Sequence, residues 1–155
     1  MFDYIYVARL LSALGINKRE ILYQYALSQL GKEKPGIPDT APREVNCVEA
    51  LNQIGLECFG KPFCYGASTI TLSLTLKNSP RFAKVNLRDV LQGDIIVSPT
   101  SGKMVGHCGI VGKTGRIFSN NSNTGLWTDH WDLTKWYKKY GEEYGLPVEF
   151  YRIVI

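Results

Sequence analysis

Long apolar runs are scarce in this 155-residue sequence. The most apolar stretch near its start, MFDYIYVARLLSALGI, is interrupted by Asp3 and Arg9 and falls short of the ~20 residues that span a bilayer. No cationic segment precedes it and no small-residue cleavage site is clear, so it reads as an amphipathic helix and not as an export signal. The chain is therefore expected to be made in the cytoplasm and to make no stable membrane insertion. Internal repeats and low-complexity tracts are missing as well, which argues against solenoids and disorder. Paired CxxC and HxxxH spacings are absent. A zinc set drawn from Cys58, Cys64, His107 and Cys108 is disfavoured, because adjacent residues on a strand point to opposite faces. No metal or cofactor is expected. Nucleic-acid fingerprints are lacking too: the basic residues are scattered, and the densest group, Lys135, Lys138 and Lys139, reads as a solvated helix face.

What is present is the composition of one globular domain, with 45% hydrophobic and 21% charged residues. A net charge of +4 draws such a chain toward anionic material without choosing among nucleic acids, membrane surfaces and wall polymers. Four cysteines, Cys47, Cys58, Cys64 and Cys108, could form two disulfides, but a chain of this size does not need them.

Asn17 followed by Glu20 is a variant capping box, and Ile21, Leu22, Tyr25, Ala26 and Leu30 form an apolar stripe that Gly31 can stop. The Pro-rich KEKPGIPDTAP then reads as a surface loop. In REVNCVEALNQIGLECFG, Asn46 can cap and Glu49 lies three residues later. Val48, Leu51 and Ile54 follow at helical spacing, which places Cys47 at the first helical position. A thiol there faces unpaired N–H groups and the positive end of the helix dipole, the setting that favours a thiolate. The second half of the chain turns to β pattern. GDIIVSPT, VGHCGIVG and GRIFSNN are short apolar runs divided by glycine turns, with DLTKWYKKYG as a short helix before a last strand, PVEFYRIVI. Asp94 turns the chain into the GDII strand. Helices first and strands later predict an α+β domain with N-terminal helices packed on a small antiparallel sheet.

His107 is one of only two histidines, and it sits inside a glycine-padded strand 60 residues after Cys47. A thiol nucleophile needs a base, and the base needs a polar group to hold its ring. The following strand ends in Ser119, Asn120 and Asn121, any of which an adjacent strand could place beside the imidazole, because a shift of one residue in register changes which side chain faces it. His130, in TDHWDL, is the only rival base and reads as a surface residue in a polar turn. Cys108 should point away from His107 into the core, and Cys58 and Cys64 read as packing thiols.

Together NCVEALNQI, GDIIVSPT, GHCGIVG and IFSNNSNTG resemble the CHAP and NlpC/P60 group of papain-like cysteine peptidases and amidases, especially the versions found in phage lytic proteins. The resemblance covers roughly residues 20 to 155. It implies a papain-like domain over residues 17–155, preceded by the amphipathic segment 1–16. The family's segment after the Cys helix is helical, so residues 69–76 are expected to be helix ending before Pro80, although Ile70, Leu72, Leu74 and Leu76 alternate as a strand would.

The resemblance implies that Cys47 is the nucleophile and His107 the general base and then acid. Asn120 is the favoured orienter, with Ser119 and Asn121 as alternatives. Trp127 and Asn121 are candidate substrate contacts. The implied reaction is attack on an amide carbonyl, through a thioester, in bacterial peptidoglycan, at a peptide or N-acetylmuramoyl–alanine bond. The oxyanion would be held partly by the Cys47 N–H. The implied setting is an endolysin or virion-associated lysin, made in the host cytoplasm and acting on the wall or carried in the virion, with phage structural proteins or holin-dependent release as its partners. Two other readings stand beside it: a binding or structural module on the same fold, and a papain-like enzyme with another acyl substrate, such as a transglutaminase-like protein.

Overall fold

Capping and periodicity place the helices where the sequence asks for them. A computed structural model describes residues 4–14, 17–34 and 46–155; the Pro-rich loop expected over 32–42 lies largely outside the described residues. The first helix, α1, is Tyr4–Ala13. In α2, Lys18–Ser28, the Asn17 side chain accepts from the Glu20 N–H, as the capping box requires, and Gly31 follows in a left-handed conformation at φ 81°. The next helix, α3, is Asn46–Phe59, so it begins one residue earlier than expected and Cys47 is its second residue, still within the first turn. Its buried stripe, Val48, Ala50, Leu51, Ile54 and Cys58, is fully shielded from solvent. The Asn46 side chain, expected to cap it, lies outside the described residues.

Residues 69–76 are helical. Ser68 caps α4, Thr69–Asn78, by accepting from the Thr71 N–H, and the buried face is Thr69, Leu72, Ser73 and Leu76. Ile70 and Leu74, which supplied half of the apparent alternation, are exposed. Burial at i, i+3, i+4 and i+7 is the helical pattern.

The sheet has six antiparallel strands in the order β1-β6-β2-β3-β4-β5: β1 Phe82–Val85, β2 Ile95–Ser98, β3 His107–Val111, β4 Arg116–Asn120, β5 Trp127–Asp132 and β6 Glu149–Ile153. The expected meander is the β2-β3-β4 run. Two strands lie beyond that expectation. β1 is four residues long and, among the described residues, pairs only with β6, and β5 occupies the stretch read as a polar turn around His130. Between β5 and β6 a short helix, α5 Leu133–Trp136, runs straight into a π-helix over Tyr137–Glu143.

Each face of the sheet carries its own apolar cluster. Ile95, Val97, Cys108, Ile110, Phe118 and Tyr151 pack with α2, α3 and α4 on one side. Ile96, Val111, Ile117 and Phe150 pack with Trp136, Tyr140 and Leu146 on the other. The alternation along β2, β3 and β4 sorts these residues cleanly, as the two-residue period of a strand demands.

Glycines on either side of His107 serve the backbone. A Cβ on Gly106 would stand 1.9 Å from the Ser98 carbonyl oxygen, and one on Gly109 2.4 Å from that of Phe118. Both distances are far inside contact, so the strands approach here only without side chains.

Asp94, fully buried, ties the turn before β2 to the last strand. Its carboxylate accepts from the Arg152 Nε and Nη2, each at 2.8 Å, and from the Leu91 N–H at 2.8 Å. Removing one partner of such a pair leaves the other uncompensated. Asp94→Ala is expected to cost about 3 kcal/mol, seen as a lower urea midpoint at unchanged m.

Candidate active site

Cys47 stands in the first turn of α3, where the Val48 N–H donates to its sulfur. The sulfur also meets two consecutive residues of β3, the Cys108 thiol and the His107 imidazole. Burial alone would raise the thiol's pKa, but the hydrogen bond from Cys108, then the bond and charge of His107, then the Val48 N–H carry it well below the ordinary thiol value. Cys108 shifts the opposite way. Full burial, then its bond to the Cys47 sulfur, holds that thiol protonated, so in this pair Cys47 is the thiolate and Cys108 the donor. Cys108 lies in the helix-side core as the strand alternation predicts, and it has this second contact that alternation alone does not reveal.

His107 points the other way, into an aromatic nest. Its ring stacks on Trp136 at 5.2 Å between centroids and 18° between planes, with Tyr140 at 5.8 Å and Trp131 at 6.2 Å. Trp136 is fixed in turn, donating its indole N–H to the Ser98 hydroxyl at 3.0 Å, and Ser98 is the register partner of His107 on β2. The imidazole is thus held by packed rings.

The three candidate orienters sort by register. Ile110 pairs with Phe118 and Val111 with Ile117, so Ser119 and Asn121 fall on the face of His107 and Asn120 on the face of Cys108. Asn120 is buried, and among the described residues neither its oxygen nor its nitrogen has a hydrogen-bond partner; it does not bond to His107. The Asn121 oxygen is taken by the N–H groups of Asn123 and Thr124 in its own turn. Ser119 is buried at the cavity wall.

A cavity of about 470 Å³ opens over this region, and Cys47, His107, Ser119, Asn120 and Asn121 all line it. Trp127 does not. It is 1% exposed, sits in the helix-side core and donates its indole N–H to the Ala26 carbonyl at 3.0 Å. The indole in the cavity is that of Trp131. Both tryptophans have the same parity along β5 and should share a face. A register shift explains why they do not: Ile117 pairs with Trp131, but Ser119 pairs with Thr128, so β5 holds one extra residue and its faces exchange. His130 is exposed on β5 and reaches the cavity rim.

Sequence reasoning did not find the Trp136–Tyr140 support. The signal that could have found it is the i, i+4 spacing of the two rings. Among the described residues, no group of three or more His, Cys, Asp or Glu side chains is placed to hold a metal ion, and no described helix is long and apolar enough to cross a membrane.

No family model matches the chain, and no curated protein matches it. Solved structures do. NlpC1 from Trichomonas vaginalis superposes with a TM-score of 0.54 at 19% identity over 89% of this chain, and NlpC2 from the same organism with 0.55 at 18% over 89%. The fold is that of the NlpC/P60 proteins. The chain covers 44% of NlpC1 and 46% of NlpC2, less than half of either. At this identity the likeness carries the fold, an α+β papain-like domain with helices on an antiparallel sheet, as the sequence resemblance implies.

Two outcomes test the site. Iodoacetamide should alkylate Cys47 well below the pH at which a free thiol reacts, and Cys108→Ala should move the midpoint of that pH–rate profile upward, because the first of the donors is gone. Asn120→Leu, which removes two unpartnered buried atoms at similar volume, should raise stability by about 1 kcal/mol, read as a higher thermal midpoint.

Proposed function

We propose that the chain is a cysteine amide hydrolase acting on bacterial peptidoglycan, with Cys47 as nucleophile and His107 as base and then acid. The observation that carries this reading is the meeting of a helix-start thiolate with an imidazole at the mouth of a cavity. The fold it shares with the NlpC proteins supports the same chemistry.

In this mechanism His107 takes the Cys47 proton and the sulfur attacks the amide carbonyl carbon. His107 delivers a proton to the leaving amine, the C–N bond breaks, and a thioester remains. Water, deprotonated by His107, then attacks the thioester and frees the acid and the thiolate. The Cys47 N–H in the first turn of α3 would hold part of the oxyanion's charge. The aromatic nest keeps the ring aimed while its charge changes, the part that a polar orienter plays in related triads. Asn120, the favoured orienter on sequence grounds, stays in the proposal as a wall of the cavity, and Asn121 as a substrate contact.

The resemblance of GHCGIVG and its neighbours to phage lytic proteins extends the proposal to a lysin, an endolysin or virion-associated enzyme made in a host bacterium. Phage structural proteins or holin-dependent release would then be its partners. A transglutaminase-like or other acyl-transferring enzyme would use the same thiolate.

Incubation with purified peptidoglycan from several bacteria should release fragments, and Cys47→Ala and His107→Ala should each lower the rate by at least about a thousandfold while staying folded. New amino or muramoyl ends identify the bond that is cut. Intact walls together with a readily alkylated Cys47 would turn the assignment to another acyl substrate, and an unreactive Cys47 would favour a binding module.

A further inference from the structure

The cavity beside the Cys47 thiolate carries two lysines. Lys135 and Lys139 line it, and among the described lining residues none is Asp or Glu. Two carboxylates that adjoin lining residues on β5 are committed elsewhere: Asp129 lies 3.7 Å from the Arg116 guanidinium, and Asp132 accepts from the Lys135 N–H at the start of α5.

Lys139 is held in place by rings. Its ammonium lies over Trp131 at 5.5 Å, Tyr140 at 5.8 Å and Tyr144 at 5.7 Å from the centroids. Ring faces attract a cation without neutralising it, so the position is fixed while the full charge stays available to a ligand. Trp131 and Tyr140 also flank His107, so the same aromatic group positions the base and the cation. The lysine triplet that reads as a solvated face in sequence is divided by the structure: Lys135 and Lys139 turn to the cavity, and Lys138 is exposed away from it.

We propose that this cavity selects acyl substrates carrying a negative charge close to the bond that is cut, held by Lys139 and Lys135 in the cavity wall. The inference rests on the amide-hydrolase reading above, under which the charge is a carboxylate within the substrate peptide. Cations converging on a concave site raise the local concentration of anions and orient them as they arrive. A charged partner several ångströms away is worth a factor of a few in rate even in a largely aqueous setting.

Two alkylating reagents of nearly the same size, one anionic and one neutral, test this without any hydrolysis. Iodoacetate and iodoacetamide are each reacted with the whole protein at low salt, and labelling of Cys47 is followed by mass spectrometry. The ratio of the iodoacetate rate to the iodoacetamide rate should fall roughly fivefold in a Lys135→Gln, Lys139→Gln double variant. It should shrink in the wild type as salt is raised. Lys138→Gln, the same kind of charge change on the same segment but outside the cavity, should leave the ratio within twofold.

An unchanged ratio in the double variant, with Cys47 still labelled by iodoacetamide, would overturn the anion selectivity and leave the nucleophile standing. An equal drop with Lys138→Gln would overturn it as well, since net charge alone would then suffice. A Cys47 inert to both reagents would bring down the nucleophile and, with it, this inference. On cleavable peptides the double variant should raise KM for the chain with a free carboxylate and not for its carboxamide.

Discussion

Everything at this site depends on where the start of α3 meets the start of β3. A strand sends successive side chains to opposite faces, and here that rule sends His107 to the aromatic side and Cys108 to the helix side. Cys47, in the first turn of the helix, contacts both. One sulfur therefore receives a hydrogen bond from a thiol in one core and an imidazole resting against the other. The short approaches at Gly106 and Gly109 keep β2, β3 and β4 close enough for this geometry to hold.

Two opposing effects act on the Cys47 charge. Burial disfavours a thiolate, whereas three donors, of which the Cys108 thiol contributes most, favour it, and the donors prevail. On the other side of the strand, flat rings take the place of a carboxylate or amide beside the imidazole. Stacking fixes the plane of the ring, and the chain Ser98–Trp136–His107 passes that constraint from β2 to the base. The unpartnered carboxamide of Asn120 is an energetic cost retained beside the reacting group, a pattern expected where function and stability compete.

The helices were legible because their signals are local, a cap and a stripe within a dozen residues. The β2-β3-β4 meander was legible for the same reason. The pairing of Cys47 with His107, 60 residues apart, came instead from the resemblance of their short motifs to a known family. The rest required information that no short window contains. Phe82–Val85 becomes a strand only because β6 returns to it from about seventy residues away. TDHWD lacks alternation because β5 carries an irregularity against β4, so the strand was hidden, and Trp127 looked equivalent to Trp131. The register that places Ser119 with His107 and Asn120 with Cys108 is set by Ile110 and Val111 meeting Phe118 and Ile117, a cross-strand fact. Lys139 looked solvated because its partners are rings from β5 and the π-helix, not an acid four residues away.

The strand order has a bearing on how the molecule is made. β6 comes last of the strands yet lies between β1 and β2, and among the described residues β1 has no other neighbour in the sheet. A ribosome delivers the chain from its N-terminal end, so the helices, the thiol and the β2-β5 ribbon all emerge while the slot between β1 and β2 is still empty. Asp94 waits equally long for Arg152. Closure of the sheet is therefore a late event in synthesis, and until then two strand edges stand open to pairing with another chain.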